Sequence, residues 1–274
     1  MFTKSDSESE VRIVTTTSVS TRLHHSESSS WLCSSQRGSN VMKAPIVLAV
    51  DTKEIDTAKR WVAATSESIS VIKLGLEFFL NFGAEGVKSV CAETDADLFL
   101  DLKLHDIPNT VSAAATAVSS LQPHFLTVHA AGGASMISAA AGALPSTRVT
   151  AVTILTSLSE SDLVNIGFKD QALPSAVRLA QLAVPAGAGA IVCSPLEVAA
   201  IRDAVGLETI LITPGVRLLS EAGSDDQKRT MTPRDAISAG ANYVVIGRPI
   251  TQAWKDGEIA LRDKARAIAA EILN

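Results

Sequence analysis

The sequence predicts an α/β protein, a closed barrel of eight parallel strands with helices packed outside, on three observations. From Pro45 onward, short apolar runs alternate with helix-like stretches, the pattern of βα units feeding a parallel sheet. The chain has 274 residues, and one such barrel uses about 200–250. Polar residues recur at the carboxyl ends of the apolar runs, the face on which barrels carry their chemistry. An open doubly wound sheet is the alternative, but no GxGxxG follows the first run.

The runs justify the elements in order. Ile46–Asp51 reads as the first strand and ends in Asp51, and Val71–Leu76 reads as the second and carries Lys73. Leu98–Leu104 is the third, and Pro108 beyond it stops the strand and can open the next helix in its first turn. The Ala-rich stretch Val111–Ser120 follows as helix. Phe125–Ala130 contains His129, read as a core histidine bonded to backbone. Val149–Thr156 leads into Thr156-Ser157, after which Ser159, Glu160, Ser161 and Asp162 can start a short helix or cover. Ser175–Val184 is again helical, and Ala190–Ser194, Thr209–Thr213 and Tyr243–Gly247 complete the strands. The polar loop from Arg217 to Met231 has the length of an active-site lid, with an ordinary solvated loop as the plain alternative. Gly247-Arg248 before a helix makes a phosphate site: glycine permits backbone approach, and arginine supplies a forked donor.

The densest chemistry lies in Asp101-Leu102-Lys103-Leu104-His105-Asp106-Ile107-Pro108-Asn109-Thr110. Alternate residues of a strand share a face. Asp101 and Lys103 therefore point one way, into the barrel, while Leu98, Leu100, Leu102 and Leu104 pack under helices. A structural salt bridge is the plain reading, but a buried ion pair is poor evidence for stability. Three charges within six residues at a strand's carboxyl end favour a catalytic site. Asp106 has the opposite parity and lies past the strand, so it does not join the pair in the same way.

Composition narrows the class. A net charge of −5 argues against a general nucleic-acid binder, which would show a basic face. No apolar run approaches the roughly 18 residues of a membrane span. Cys33, Cys91 and Cys193 are scattered without a CxxC pair, which fits reduced thiols in a cytoplasmic protein rather than a disulfide frame or zinc site. Residues 1–41 are rich in Ser and Thr and lack periodicity, so they are expected to be a disordered extension before a barrel domain over 42–274. Their acidic residues Asp6, Glu8, Glu10 and Glu27 are unusual for a transit peptide. Met42, directly before the first strand, makes an extended start as reasonable as a targeting signal.

With these residues in place, the chain from about Pro45 resembles orotidine 5′-phosphate decarboxylases of the bacterial type, a (β/α)8 TIM barrel family. The resemblance rests on Leu48-Ala49-Val50-Asp51, Ile72-Lys73-Leu74-Gly75 and above all Asp101 through Thr110. Thr127-Val128-His129-Ala130, Leu155-Thr156-Ser157, Pro214-Gly215-Val216-Arg217, Asp225 through Arg229 and Gly247 through Thr251 extend it. The DxKxxD pattern alone is shared with sugar-phosphate decarboxylases and synthases of the same superfamily. The HDIPNT extension, with the Gln227 and Arg248 segments in order, is more specific. Ala131 is a small departure after His129.

The resemblance implies loss of carbon dioxide from orotidine 5′-monophosphate to give uridine 5′-monophosphate in pyrimidine biosynthesis, with no metal or organic cofactor. It implies that Lys103 donates the proton while Asp101 orients it, and that Asp51 and Lys73 bind the ribose hydroxyls. Thr156 would sit near the pyrimidine, and Arg217, Gln227, Gly247 and Arg248 would grip the phosphate. Asp106, Ile107 and Thr110 would serve the substrate site, with Asp106 and Thr110 reaching that of a partner subunit in a homodimer. Two rivals stand beside this reading. A phosphosugar lyase on the same barrel would need Mg²⁺ held by carboxylates, and a noncatalytic nucleotide-binding barrel would bind uridine monophosphate without turnover.

Overall fold

The computed structural model describes residues 43–216 and 231–274. The expectations for residues 1–41, and for the loop holding Arg217 and Gln227, lie outside these residues. The strands are β1 (Ala44–Ala49), β2 (Ile69–Gly75), β3 (Asp97–Leu104), β4 (Phe125–His129), β5 (Arg148–Val152), β6 (Ala190–Val192), β7 (Ile210–Thr213) and β8 (Tyr243–Ile246). All pair in parallel with their chain neighbours, and β8 pairs back onto β1 to close the barrel. The open-sheet alternative is thereby excluded.

Side-chain alternation builds two kinds of core. Val47, Val71, Phe99, Phe125, Ala190 and Ile212 point inward as one layer. The Phe99 and Phe125 rings lie 5.6 Å apart, and Tyr243 meets Phe125 edge-on at 5.9 Å. Aromatic rings of this size fill the barrel's interior, so the hollow above them opens toward the strands' carboxyl ends. Leu48, Ile72, Leu74, Leu98, Leu100 and Leu102 point outward and are buried under the helices.

The helices supply the outer layer. α1 (Ile55–Thr65), α2 (Leu76–Cys91), α3 (Pro108–Ala117), α4 (Ala134–Ala143), α5 (Glu160–Asn165) and α6 (Ala172–Ala183) come first. They are followed by α7 (Val198–Val205), α8 (Pro233–Ser238), α9 (Arg248–Thr251) and α10 (Glu258–Leu273). Pro108 occupies the first turn of α3, as its fixed φ and missing N–H favour. α3 therefore starts three residues before the expected Val111. Pro174 is likewise tolerated in the first turn of α6, which begins at Ala172 rather than Ser175. α5 is the short helix expected after the fifth strand. Its N-cap Ser159 and Asp162 form a reciprocal capping box, with Ser159 N–H donating to Asp162 Oδ2 at 2.8 Å. No helix among the described residues is long and apolar enough to cross a membrane.

β3 and β7 end where their apolar runs do, at Leu104 and Thr213, and the other strands end earlier than expected. β5 stops at Val152 because its partner β6 stops at Val192, leaving Thr153 to Thr156 as loop. β3 carries an irregularity at the site: between the Leu100–Leu126 and Leu104–Val128 pairings it takes four residue steps against two on β4. The inserted pair preserves parity, so Asp101 and Lys103 still face inward. It also forces Lys103 to a φ of +50°, a conformation that costs a non-glycine residue about 1–3 kcal/mol.

Candidate active site

Three adjacent strands bring four charges together at the carboxyl end. Inward parity selects Lys73 on β2 and Asp101 and Lys103 on β3, and the chain leaving β1 adds Asp51. Lys103 Nζ donates to Asp101 Oδ1 at 2.8 Å, and Lys73 Nζ lies 3.3 Å from Asp101 Oδ2 and 3.6 Å from Asp51 Oδ1. The Asp101 side chain is 10% exposed and that of Lys73 is 13%, whereas Lys103 retains 38%. The row alternates in sign: Asp51, Lys73, Asp101, Lys103. Its most exposed cation is Lys103, which faces the hollow.

The alternation sets the ionisation. Burial favours the neutral acid of Asp101, but the charges of Lys73 and Lys103 and hydrogen bonds from Lys103 and Thr127 outweigh it and hold the pKa below the usual carboxylate range. Burial also pushes Lys73 down, yet the charges of Asp101 and Asp51 more than offset this and leave it above the ordinary lysine value. Both groups therefore stay charged at neutral pH.

The row forms one wall of a cavity of about 300 Å³. Phe99, Val152, Val192 and Val245 are among its apolar lining, and Thr156, Gly215, Gly247 and Arg248 line it as well. Such a chamber combines an apolar body with a few convergent polar groups, as small-molecule sites do. Gly247 lies close against β1: a Cβ there would come within 3.2 Å of Ala49 Cβ, a tight contact. Among the described residues, no group of three or more His, Cys, Asp or Glu side chains is arranged to hold a metal ion.

Most of the residues expected from the sequence meet here: Asp51, Lys73, Asp101, Lys103, Thr156, Gly247 and Arg248 all line the cavity. Asp106, Ile107 and Thr110 do not. They are exposed beyond the end of β3, and Asp106 Oδ1 accepts a 2.6 Å hydrogen bond from Ile107 N–H. A shallow surface depression beside them is lined by His105, Asp106, Ile107, Pro108, Ala131 and Gly132. His129 corrects its expectation. No hydrogen bond of its ring to backbone is found among the described residues, and the ring stands 5.3 Å from that of His105. Burial, then His105 and Lys103, lower its pKa, partly opposed by Asp101.

The sequence reading gave Thr127 no role of its own. It is fully buried on β4, where its hydroxyl contacts both Asp101 and the backbone of Lys103. Its inward parity, shared with Phe125 and His129, was the available signal.

The orotidine 5′-phosphate decarboxylase / HUMPS family matches residues 44–262, most of the chain. The chain belongs to that family. An orotidine 5′-phosphate decarboxylase from Thermobifida fusca is 51% identical over 231 residues, covering 84% of this chain and 97% of the relative. One from Gluconobacter oxydans is 44% identical, covering 83% and 96%. Among solved structures, the orotidine 5′-phosphate decarboxylase from Lactobacillus acidophilus superposes with a TM-score of 0.71 at 32% identity, over 85% of this chain and all of that one. The family region takes in all eight strands and every described residue of the charged row.

Proposed function

We propose that this chain decarboxylates orotidine 5′-monophosphate to uridine 5′-monophosphate without a cofactor, as a step of pyrimidine biosynthesis, with Lys103 as the proton donor. The observation that carries this is the alternating row, which ends with the Lys103 ammonium at the cavity wall, 2.8 Å from Asp101. Removing the carboxylate breaks the bond from C6 and leaves its electron pair on that carbon, where the pyrimidine ring delocalises it poorly. A preformed cation beside C6 stabilises the developing charge, and transfer of one Nζ proton to C6 completes the product. Lys103 then regains a proton from solvent.

Asp101 holds that ammonium in place and lies close to the departing carboxylate. Most of the rate gain is assigned to electrostatics in the transition state, since every tenfold needs only about 1.4 kcal/mol. Asp51 and Lys73 bind the ribose hydroxyls, and Thr156 contacts the nucleotide near its pyrimidine. Gly247 and Arg248 take the phosphate together with Arg217 and Gln227. That remote binding energy positions the reacting ring. Asp106 and Thr110, exposed in one chain, complete the site of a second copy in a homodimer, and Ile107 serves substrate binding beside them. Residues 1–41 take no part, and the enzyme works in the cytoplasm.

The direct test follows the absorbance of orotidine 5′-monophosphate with purified protein in excess EDTA. Turnover should persist. Loss of activity on chelation, restored by Mg²⁺, would instead favour a metal-dependent lyase, and tight product binding with no turnover would favour a binding protein. Lys103→Ala should keep product affinity while turnover falls by several powers of ten.

A further inference from the structure

The β3 irregularity places three consecutive residues, Asp101, Leu102 and Lys103, against the single residue Thr127 of β4. The Thr127 hydroxyl makes two hydrogen bonds there. It accepts from Lys103 N–H at 2.8 Å and donates to Asp101 Oδ1 at 3.0 Å. The direction of both is forced, because a backbone N–H can only donate and an ionised carboxylate can only accept. Asp101 Oδ1 also takes the Lys103 ammonium at 2.8 Å, leaving Oδ2 toward Lys73 at 3.3 Å. A closed ring results: Lys103 backbone, Thr127 hydroxyl, Asp101 carboxylate, Lys103 ammonium.

We infer that Thr127 is a positioning residue for the reaction, its hydroxyl locking the Lys103 backbone and the Asp101 carboxylate into the one arrangement that aims the Lys103 ammonium at the substrate. The inference rests on the reading of Asp101 and Lys103 as the reacting pair. Two features give the hydroxyl this work. Lys103 sits at a φ of +50°, which persists only where its surroundings hold it. The irregular pairing also withdraws Lys103 N–H from the regular ladder, and the hydroxyl is the partner it finds. Without it, the amide is left unpaired and the carboxylate keeps only its two flexible lysines as partners, with nothing tying it to the strand backbone. Thr127 is fully buried, so bulk water does not replace it.

The test compares Thr127→Val, which keeps the branched shape and removes the hydroxyl, with Thr127→Ser, which keeps the hydroxyl and removes the methyl. Thr127→Ala is measured beside them in case valine disturbs the strand. For the hydroxyl-free variants kcat should fall about 10- to 100-fold, the scale of a misplaced reacting group. KM and the affinity for uridine 5′-monophosphate should stay within about threefold, because the ribose and phosphate contacts lie elsewhere in the cavity. Thr127→Ser should restore kcat to within about threefold of the parent. A merely structural threonine would lower the folded fraction without this split between kcat and KM. Equal losses in serine and valine variants would overturn the inference, since packing rather than the hydroxyl would then matter. Unchanged kcat in folded Thr127→Val or Thr127→Ala would overturn it as well. Lys103→Ala is run in the same assay. If it turns over normally, the reading beneath the inference fails and takes the inference with it; if it is inactive beside an unaffected Thr127→Val, the inference alone fails.

Discussion

Asp101 is held between Lys73 and Lys103 and is largely buried, so its charge is linked to the folded state. Its pKa is depressed on folding, hence its contribution to stability is present above the ordinary carboxylate value and is lost as pH falls through the lower, folded one. Lys73 is raised, so its contribution is present below the ordinary lysine value and is lost as pH rises through the folded one. Asp101→Asn should therefore be less stable than the parent at neutral pH, with a gap that narrows as the pH falls below the ordinary carboxylate value. Urea midpoints across that range check it, and a gap that stays constant would show that Asp101 is not held charged by the fold. Arg248 lines the same cavity, just past the end of β8. Arg248→Ala removes a charge-assisted contact and should impair orotidine monophosphate far more than phosphate-free orotidine. Equal impairment of both, measured as kcat/KM, would give Arg248 a structural role instead.

Among the elements, β3 does the most to shape the site. Its outward leucines anchor it under the helices while its inward residues carry the charges, and the inserted pair shifts its register against β4. Pro108 then starts α3 at once, which turns Asp106 out of the cavity. α5 shows how local chemistry stabilises an element too short to persist alone. The Ser159 hydroxyl accepts from Asp162 N–H at 3.3 Å, and the Asp162 carboxylate accepts from Ser159 N–H at 2.8 Å. Ser159→Ala should lower stability by about 1 kcal/mol, the usual worth of an N-cap. Chemical denaturation measures this, and an unchanged midpoint would mean the cap contributes nothing in the intact barrel.

For the whole molecule, the exposed position of Asp106 and Ile107 makes the oligomer the decisive question. In a two-fold dimer each subunit would lend Asp106 to the other site. Lys103→Ala and Asp106→Ala proteins should then each be nearly inactive. Mixed in equal amounts and allowed to exchange, about half the dimers become heterodimers with one intact site, so activity should recover to roughly one quarter of the parent. If exchange is demonstrated and no activity returns, Asp106 serves its own subunit. The leading segment poses a separate question at the same scale. A chain beginning at Met42 should keep its melting temperature and specific activity, and a clear loss of either would show that residues 1–41 dock on the barrel.

The sequence by itself determined the barrel and the charged residues of the cavity. Both depend on local rules: apolar runs separated by helical stretches, a side-chain period of two that put Asp101 and Lys103 on the inner face, and a proline that ended the strand's course. Comparison of motifs with a known family then assigned roles that no periodicity carries. The tertiary structure decided what depends on closure. Lys73 lies 28 residues before Asp101, and its 3.3 Å contact exists because β2 and β3 are neighbours in register. Thr127 looked like one more strand residue until the offset between β3 and β4 set its hydroxyl against both Asp101 and Lys103. Alternation along a strand tells which face a residue takes. Which residue it meets there is fixed by the pairing of strands distant in sequence, and an inserted pair of residues changes that without altering parity.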